Sequence, residues 1–537
     1  MELVTVYDKL EKIWSGSGSG RIFDSNKSIG EIAFYMMRSK SPTEICQISD
    51  SEDTTLTYGT AITYAIRIAQ HFRKLELTQD DIVGIVAPNT TLLMPVAVAC
   101  WLNCTPFQAI YPLHEENVIE HLFNITKPKV IFCDGLRYEK IKNCKSALNA
   151  KIFTLCNHLT DVPKVEDLLE PTITEHFFRP ATLKYGPNQT MGLFCSSGTT
   201  GFPKAVCISN HLMTKNLGFT DRASIMFSFS TPDWTTGLLS LAINTLLGGV
   251  RIVTSKPYSP EYLMEIVIKY KVSFLGISAF STTEISNLPN FNKETLKNIR
   301  FIFMSGGHCP ISTLERVRSQ LTMAVLLNGY GTTECGGIAA NIKNYKNNSV
   351  GRILPEIEIK IIDQQTGEKL AHNQVGEIYV RTSSKWSGYY GDVKATEAVL
   401  ELDGWVRTGD LGYIDEENYL YLLDRSKDIL KYNGRQYSPH EIEETILELS
   451  DVLDACVFGV YDDNFNDLAA AAVVKKPGAK LTKEEIVKYV KEQHEDNSKH
   501  LNYGVFLVDE IPKNANGKVL RKETKEYCLR YITTLIE

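Results

Sequence analysis

The sequence of 537 residues lacks a long apolar run, a CxxC pair of cysteines and an excess of positive charge. Its longest apolar stretches are residues 92–102 and 238–250, shorter than the roughly 20 residues that a transmembrane helix needs. The twelve cysteines include no CxxC pair, which favours free thiols in a reducing compartment over a zinc site or a disulfide framework. We therefore expect neither a membrane span nor a disulfide-stabilised secreted domain.

The balance of charge excludes broad classes of partner. Lys and Arg total 57 against 64 Asp and Glu, a formal net charge of -7, so the chain has no general attraction to nucleic acid or anionic membranes. The start of the chain lacks the order of a secretory signal, and the final Leu535, Ile536 and Glu537 differ from the usual peroxisomal signal. We expect a cytoplasmic protein whose partners are small molecules, and the sequence leaves its oligomeric state open.

The hydrophobic pattern of the first 350 residues is typical of an α/β fold. Residues 57–75 carry apolar side chains at helical spacing, and residues 82–87, 130–133, 272–277 and 301–304 form short β-branched or aromatic runs. Such alternation predicts parallel sheets covered by helices on both faces, with ligands bound beyond the carboxyl ends of the strands.

The pattern changes in the remainder of the chain. Short strands with Gly and Asp turns, such as residues 356–362, 377–380 and 419–423, predict a small antiparallel unit.

Near the start of the chain, residues 15–20 alternate Ser and Gly, which indicates a loose surface loop.

The last 110 residues or so predict a compact α+β unit. One helix is expected to begin with a capping box at Ser438 and Glu441, with Pro439 at its first position, and a second box is expected at Thr482 and Glu485. The chain therefore divides into an N-terminal domain, its small antiparallel barrel, a hinge and a mobile C-terminal domain. The predicted bounds are 1–424, about 355–424, 425–427 and 428–537, respectively.

A phosphate-binding loop is indicated at residues 195–204, which read CSSGTTGFPK after the apolar residues 191–194. Glycines let backbone N–H groups turn toward an anion, hydroxyls donate further hydrogen bonds, and Lys204 adds a positive charge. Composition alone is equally consistent with a Ser- and Gly-rich surface turn. A Walker loop is excluded because Ala205 follows the lysine, and Pro203 has no N–H to donate, so a cradle would lie within residues 196–201.

This loop resembles that of the adenylate-forming superfamily, which includes acyl- and aryl-CoA ligases, 4-coumarate-CoA ligases and beetle luciferases. Four other motifs of the superfamily follow in the same order. They are YGTTE at 330–334, TGD at 408–410, DRSKD at 424–428 and PKNANGK at 512–518. The resemblance covers nearly the whole chain and implies ATP-dependent activation of a carboxylic acid.

The resemblance also implies roles for individual residues. Tyr330 would stack on adenine, whereas Asp410 and Arg425 would bind the ribose hydroxyls. Thr333 would donate to the α-phosphate, and Glu334, in a loop after a strand at residues 324–327, would hold Mg²⁺ on the phosphates. Taken singly, a packed core tyrosine, a structural turn aspartate and a solvated glutamate are the ordinary alternatives. The full set of implied ATP-binding residues is Ser196, Ser197, Gly198, Thr199, Thr200, Gly201, Lys204, Tyr330, Gly331, Thr332, Asp410 and Arg425.

The resemblance implies three catalytic residues, which are Lys518, Thr333 and Glu334. Attack of a carboxylate on a phosphate brings two anions together, and a cation between them lowers that repulsion. No general base is needed, because an acid with a pKa near ~4 is already ionised at neutral pH. In the second half-reaction the C-terminal domain would rotate about Lys427 and bring Lys431 and Gly434 to CoA.

The resemblance places a third group of residues around the acyl chain. They are Trp234, Thr235, Ser305, Gly306, Gly307, His308, Gly336 and Gly337. Many relatives have a gating histidine where this chain has Trp234, and the sequence leaves open whether the indole is a gate or part of the core. His308 is similarly either a substrate contact or a wall residue. The small side chains after Glu334 indicate room for a bulky or long acid.

The sequence thus predicts a ligase that converts a fatty or arylalkenoic acid and ATP into acyl-AMP and pyrophosphate, and then transfers the acyl group to CoA. Mg²⁺ is the expected cofactor, and ATP and CoA are the expected co-substrates. Two alternatives remain: a luciferase-type monooxygenase that uses the same adenylation, and a non-catalytic protein that binds adenylates.

Overall fold

The computed structural model describes residues 3–18, 21–195, 202–215, 224–307, 309–322, 324–342, 345–433, 435–514 and 517–536. The strands are β1 Thr5–Asp8, β2 Ile13–Gly16, β3 Ile45–Ser49, β4 Thr54–Thr57, β5 Val83–Val86, β6 Phe107–Ala109, β7 Val130–Asp134, β8 Lys151–Cys156, β9 Thr190–Cys195, β10 Ala205–Ser209, β11 Ile225–Phe227, β12 Val250–Val253, β13 Phe274–Ser278, β14 Phe301–Ser305, β15 Val325–Thr332, β16 Gly336–Asn341, β17 Arg352–Ile353, β18 Ile357–Ile362, β19 Gly376–Thr382, β20 Val406–Ile414, β21 Leu420–Arg425, β22 Leu430–Tyr432, β23 Arg435–Tyr437, β24 Val452–Asp462, β25 Asn466–Lys475 and β26 Gly504–Leu507. The α-helices are α1 Ile29–Ser39, α2 Tyr58–Lys74, α3 Leu93–Leu102, α4 Glu116–Thr126, α5 Tyr138–Asn143, α6 Asn210–Thr214, α7 Thr235–Leu247, α8 Pro260–Lys269, α9 Ala279–Ser286, α10 Ile311–Gln320, α11 Val393–Glu397, α12 Pro439–Leu447, α13 Lys483–Gln493 and α14 Arg521–Ile536.

Two helix-covered sheets form most of the chain. One has the strand order β17-β16-β15-β14-β13-β11-β12-β3-β4, and its strands from β15 to β3 are parallel. The other has the order β10-β9-β6-β5-β7-β8 and is parallel from β9 to β8. Their central strands read as continuous apolar runs because helices cover both faces. The predicted helix at residues 57–75 and the four predicted strands are confirmed.

The third sheet is antiparallel and has the order β1-β2-β18-β19-β20-β21. Its strands β18 to β21 pair in antiparallel fashion, which confirms the predicted antiparallel pattern. The prediction of a loose loop from residue 15 is wrong at its start, because Ser15 lies in β2 and pairs with Glu358. The neighbouring Trp14 is fully buried, and this burial holds the N-terminal hairpin against the sheet.

The last part of the chain forms a fourth sheet, β23-β22-β25-β24, with β26 parallel to β25, and carries α12, α13 and α14. Thr482 and Glu485 form the predicted reciprocal capping box of α13. At α12 the predicted N-cap Ser438 is confirmed, but its hydroxyl accepts the His440 N–H at 3.1 Å and not the Glu441 N–H that a capping box requires. The Glu441 half is wrong, because that carboxylate pairs with Lys499 instead. The division of the chain at residues 425–427 stays a prediction.

Within the residues that the structure describes, no helix is both long and apolar enough to cross a membrane.

Candidate active site

A cleft of about 1820 Å³ lies beyond the carboxyl ends of β13, β14 and β15 and extends to the C-terminal loop around Lys518. This is the position at which open α/β sheets bind ligands. The structure brings together here the predicted residues Lys204, Trp234, Thr235, Ser305, Gly306, Gly307, Tyr330, Gly331, Thr332, Thr333, Glu334, Gly336, Gly337, Asp410, Arg425 and Lys518.

The remaining predicted residues do not contribute to the described wall of the cleft. Lys427 and Lys431 are described but exposed, and they lie outside the lining of the cleft. The phosphate-loop residues Ser196, Ser197, Gly198, Thr199, Thr200 and Gly201, and also His308 and Gly434, lie outside the described residues.

One end of the cleft is organised by a hydrogen-bonded carboxylate. Tyr330 donates its hydroxyl to Asp410 Oδ2 at 2.6 Å, and Arg425 Nε lies 3.3 Å from Asp410 Oδ1. The pairing of β20 with β21 places Asp410 directly opposite Arg425, so the ion pair follows from the strand register. Burial and then the Asp410 charge raise the pKa of Tyr330 well above its ordinary value, so the tyrosine remains a neutral donor. Each Asp410 oxygen keeps a further lone pair that can accept from a ligand hydroxyl.

Glu334 lies in the tight turn between β15 and β16. The sequence predicted a strand that ended at residue 327, but β15 continues to Thr332, so Glu334 follows the strand at once. Its Oε1 accepts a 2.8 Å hydrogen bond from the hydroxyl of Tyr389, and Lys204 Nζ lies 4.6 Å from the centroid of the same ring. Tyr389 therefore links the lysine of the phosphate loop to the carboxylate.

Sequence reasoning missed Tyr389. It reaches the cleft because the segment before α11 makes a β-bridge with Val206, just after the phosphate loop. No local pattern marks such a long-range bridge. Burial and then the Glu334 charge raise the pKa of Tyr389, so its hydroxyl remains a donor to the carboxylate.

The carboxylate at this turn could bind Mg²⁺ that is already bound to the phosphates of a nucleotide. Glu334 is half-buried in the wall of the cleft and offers carboxylate oxygens, the ligand type that Mg²⁺ prefers. The described residues contain no cluster of three or more His, Cys, Asp or Glu that could hold a metal ion. A single carboxylate is sufficient where substrate phosphates and water supply the other ligands.

The C-terminal loop packs against the start of α9. Gly517 N–H donates to Asn514 O at 2.9 Å, and the same asparagine accepts the Lys518 N–H through Oδ1 at 2.9 Å. Gly517 has φ +76, and an added Cβ would lie 3.2 Å from Phe280. Lys513 Nζ lies 3.1 Å from the centroid of the Phe280 ring and 2.5 Å from Asp454 Oδ2. These contacts hold the loop at the edge of the cleft.

Lys518 is half-buried in the wall of the cleft. Burial and then the nearby Arg425 lower the pKa of Lys518 to about 8, whereas Asp410 and Asp428 act in the opposite direction. The ammonium thus shares one local electrostatic environment with the Asp410–Arg425 pair. A lysine with this pKa is still mostly a cation at neutral pH.

The other end of the cleft is mostly apolar. Trp234 precedes α7, is half-buried, and its indole N–H has no hydrogen-bond partner among the described residues. Added Cβ atoms at Gly336 and Gly337 would lie 2.7 Å from Leu212 and 2.9 Å from Leu354, respectively. The space that these glycines leave is therefore taken up by the two leucines, so the room available to an acid depends on how those leucines pack.

Two family models match the chain. The AMP-binding enzyme model matches residues 37–390, and the AMP-binding enzyme C-terminal domain model matches residues 441–518. The chain belongs to the AMP-binding enzyme family. The predicted resemblance to the adenylate-forming superfamily is confirmed.

Curated relatives of this AMP-binding enzyme include a probable 4-coumarate-CoA ligase 3 of Dictyostelium discoideum, 28% identical over 494 residues, which cover 86% of this chain and 88% of the relative. Luciferin 4-monooxygenase of Photinus pyralis is 28% identical over 503 residues, which cover 89% and 90% of the two chains.

Similar solved structures include ATP-bound MatB from Rhodopseudomonas palustris, with a TM-score of 0.82 and 21% identity over 94% of this chain and 99% of that chain. The anthranilate CoA ligase AuaEII in complex with anthranoyl-AMP has a TM-score of 0.84 and 16% identity over 94% and 98% of the two chains. At these low sequence identities, the similarity to the two solved structures shows a shared fold and nothing about activity. It confirms the predicted fold class, with a large N-terminal part of helix-covered sheets and a small C-terminal part.

Proposed function

We propose that this AMP-binding enzyme uses ATP to convert a carboxylic acid into an acyl adenylate and then transfers the acyl group to the thiol of CoA. The observation that carries the proposal is the position of Lys518, which faces the same cleft as Asp410, Arg425 and Glu334. A cation, a ribose acceptor and a magnesium ligand are the groups that adenylation of a carboxylate requires.

In the first step a carboxylate oxygen attacks the α-phosphorus of ATP, the bond to the bridging oxygen breaks, and that oxygen leaves with pyrophosphate. Lys518 lies between the two anions and stabilises the negative charge that develops in the transition state. Asp410 and Arg425 orient the ribose, and Thr333 donates to the α-phosphate. Mg²⁺ held by Glu334 would neutralise charge on the phosphates.

In the second step the sulfur of CoA attacks the carbonyl carbon of the adenylate, the bond to the phosphate oxygen breaks, and AMP leaves. The C-terminal part would rotate about Lys427 and bring Lys431 and Gly434 to the pantetheine arm. This rotation would break the contact of Lys513 with Phe280 and the hydrogen bond of 2.7 Å between Gln364 and Ser426.

The acid is a fatty or arylalkenoic acid in this proposal. Aromatic and aliphatic side chains line the cleft next to Trp234, and an apolar wall of this kind stabilises an apolar acyl group. These wall residues are Leu238, Leu239, Ala242, Phe274, Phe301 and Phe303. The 4-coumarate-CoA ligases among the relatives also support an arylalkenoic substrate.

A second candidate function is a luciferase-type oxygenation of the adenylate, supported by the 28% identity to luciferin 4-monooxygenase. It shares the first step and differs only in that oxygen, and not a thiol, reacts with the adenylate. A non-catalytic adenylate-binding protein is the third alternative, and the presence of Lys518 and Glu334 in one cleft argues against it.

One assay separates the three functions. Each acid of a panel of fatty and arylalkenoic acids is incubated with ATP and Mg²⁺, with and without CoA, and pyrophosphate, AMP and acyl-CoA are measured. We expect carboxylate-dependent pyrophosphate release and an acyl-CoA product. Light emission with luciferin and oxygen but no acyl-CoA from any acid would favour the monooxygenase, and no pyrophosphate release with any acid would overturn the proposal.

A further inference from the structure

A cluster of charged and polar side chains lies behind the turn that carries Glu334, with His211 buried, Arg21 and Glu356 half-buried and Ser383 exposed. Arg21 donates to both carboxylate oxygens of Glu356, through Nε at 2.8 Å and Nη2 at 3.0 Å. Ser383 donates to Glu356 Oε2 at 2.8 Å. His211 Nε2 lies 3.2 Å from the Ser383 hydroxyl and 3.7 Å from the carboxylate. The mechanism above uses none of these residues.

Lys215 connects this cluster to the cleft. It follows α6, its exposed fraction is 5%, and it lines the cleft. Its Nζ donates to the backbone carbonyl of Glu356 at 3.4 Å, which is long for a hydrogen bond. An ammonium has three donors, so this contact leaves it capacity for further acceptors.

The described cluster carries more positive than negative charge. Arg21 and Lys215 are cationic, whereas Glu356 supplies one carboxylate, which already accepts from Arg21 and Ser383. Burial and then the two cations lower the pKa of His211 to about 4, so this imidazole is neutral at physiological pH. A buried ammonium costs stability unless acceptors compensate it, and burial is also the main reason why the pKa of Lys215 is lowered to about 8.

The position of Lys215 identifies which part of a substrate it would meet. Its neighbour Leu212 packs against Gly336, and Lys215 lies close enough to Cys335 for the two to interact electrostatically. Gly336 belongs to the wall that the family resemblance assigns to the acyl chain. The group that adenylates the acid, Lys518, instead shares its surroundings with Asp410. Lys215 therefore lies beside the wall that the family resemblance assigns to the acyl chain.

We propose that Lys215 determines specificity, and that its ammonium donates a hydrogen bond to an oxygen acceptor on the acyl chain, at a carbon remote from the reacting carboxylate. The proposal rests on the proposed adenylation function and narrows its substrate class to acids with such an oxygen, either a hydroxyl or a second carboxylate. An acid without the oxygen leaves the buried ammonium poorly paired, and sites built to hydrogen-bond a substrate group strongly reject analogues that lack it.

The test uses three acids of equal chain length: an unsubstituted acid, the ω-hydroxy acid and the α,ω-diacid. Pyrophosphate release is measured for the wild type, for Lys215→Met and for Lys215→Gln, with the exposed Lys293→Met as a matched control. We expect the wild type and the control to have a kcat/KM at least about tenfold higher for one or both oxygen-bearing acids than for the unsubstituted acid. Lys215→Met should lose this preference and process the unsubstituted acid at least as well as the wild type does.

Lys215→Gln distinguishes the two kinds of oxygen. A neutral amide still donates to a hydroxyl but offers no charge to a carboxylate, so a preference that survives in this variant identifies the hydroxy acid, and one that is lost identifies the diacid. Melting temperatures with and without ATP report whether each variant folds and binds nucleotide. A wild type that adenylates the three acids equally, or a Lys215→Met variant that folds and keeps every preference at the wild-type ratio, overturns the inference. In both cases adenylation itself persists, which separates this failure from failure of the proposed function.

Discussion

Replacement of Lys518 by alanine should greatly slow formation of the adenylate. The ammonium is held near Asp410 and Arg425 in a partly buried position, where its charge is weakly screened. Loss of one neutral donor to a developing anion typically costs about 10² to 10³ in kcat, and charge-assisted hydrogen bonds are roughly twice as strong as neutral ones. We therefore expect a decrease of at least about 10³ in the rate of pyrophosphate release, equivalent to about 4 kcal/mol.

The pH dependence gives a second measure of the same group. Because the pKa of Lys518 is lowered to about 8, its cationic fraction is high below that pH and falls as the pH rises through it. In the wild type the adenylation rate should decline on the alkaline side of pH 8, by about tenfold per pH unit once the lysine is mostly neutral. This limb should be absent from the residual activity of Lys518→Ala.

The assay separates the two half-reactions. Single-turnover pyrophosphate release reports adenylation, and conversion of supplied acyl-AMP and CoA into acyl-CoA reports the thiol transfer. Lys522→Ala, an exposed position on α14, is the matched control and should resemble the wild type. Lys518→Ala should retain most of the transfer step. Equal losses in both half-reactions, or an alkaline limb that persists without the lysine, would refute the role assigned to it.

Three further predictions concern contacts around the cleft. Phe280→Ala removes the ring that the Lys513 ammonium contacts, and such a contact contributes about 1 to 2 kcal/mol when it is partly desolvated. Adenylation, measured as pyrophosphate release, should therefore slow about tenfold. Transfer from supplied acyl-AMP to CoA should not slow. Asp410→Asn should raise the KM for ATP, and the melting temperature should fall only slightly. An unchanged KM would contradict the nucleotide-binding role of Asp410. Glu443→Gln replaces the buried carboxylate that pairs with the half-buried Arg521 and should destabilise the C-terminal part by about 3 kcal/mol in denaturant titrations. Because this ion pair lowers the pKa of Glu443 to about 2, its stabilising effect should be present above the ordinary glutamate pKa and be lost as the pH falls toward 2.

The elements that the sequence predicted well are those whose signal is local. The helix that begins at Tyr58 has its cap, its apolar face and its end within one segment, and the buried parallel strands are continuous apolar runs. The motif residues around Tyr330 and Asp410 were identified for a similar reason, because each motif is short and contiguous. Their meeting in one cleft follows from the fold, which carries the carboxyl ends of neighbouring parallel strands to one edge.

The features that sequence reasoning missed depend on contacts between distant segments. Ser15 lies in a strand only because Trp14 is buried against a sheet formed more than 300 residues later. Tyr389 reaches Glu334 through a bridge to Val206, and neither neighbourhood predicts the other. Lys215 reads as an ordinary surface lysine until the fold buries it beside Glu356. In each case the deciding free energy comes from tertiary burial, which overrides local preference.

The proposed rotation of the C-terminal part requires that no single contact across the cleft be strong. Contacts of the moderate kind hold the C-terminal loop and the hinge: a cation over the Phe280 ring, a side-chain hydrogen bond from Gln364 to Ser426, and van der Waals contact at Gly517. Next to the hinge, Ser438 also donates to Asp424 Oδ2 at 2.7 Å. Such interactions contribute about 1 kcal/mol each, so a few of them can hold one conformation while ligands still shift the equilibrium by differential binding. By contrast, the ion pair of the buried Glu443 with the half-buried Arg521 lies within the C-terminal part and would move with it as a unit. The distribution of strong and weak contacts therefore suits a rigid body that turns about residues 425–427.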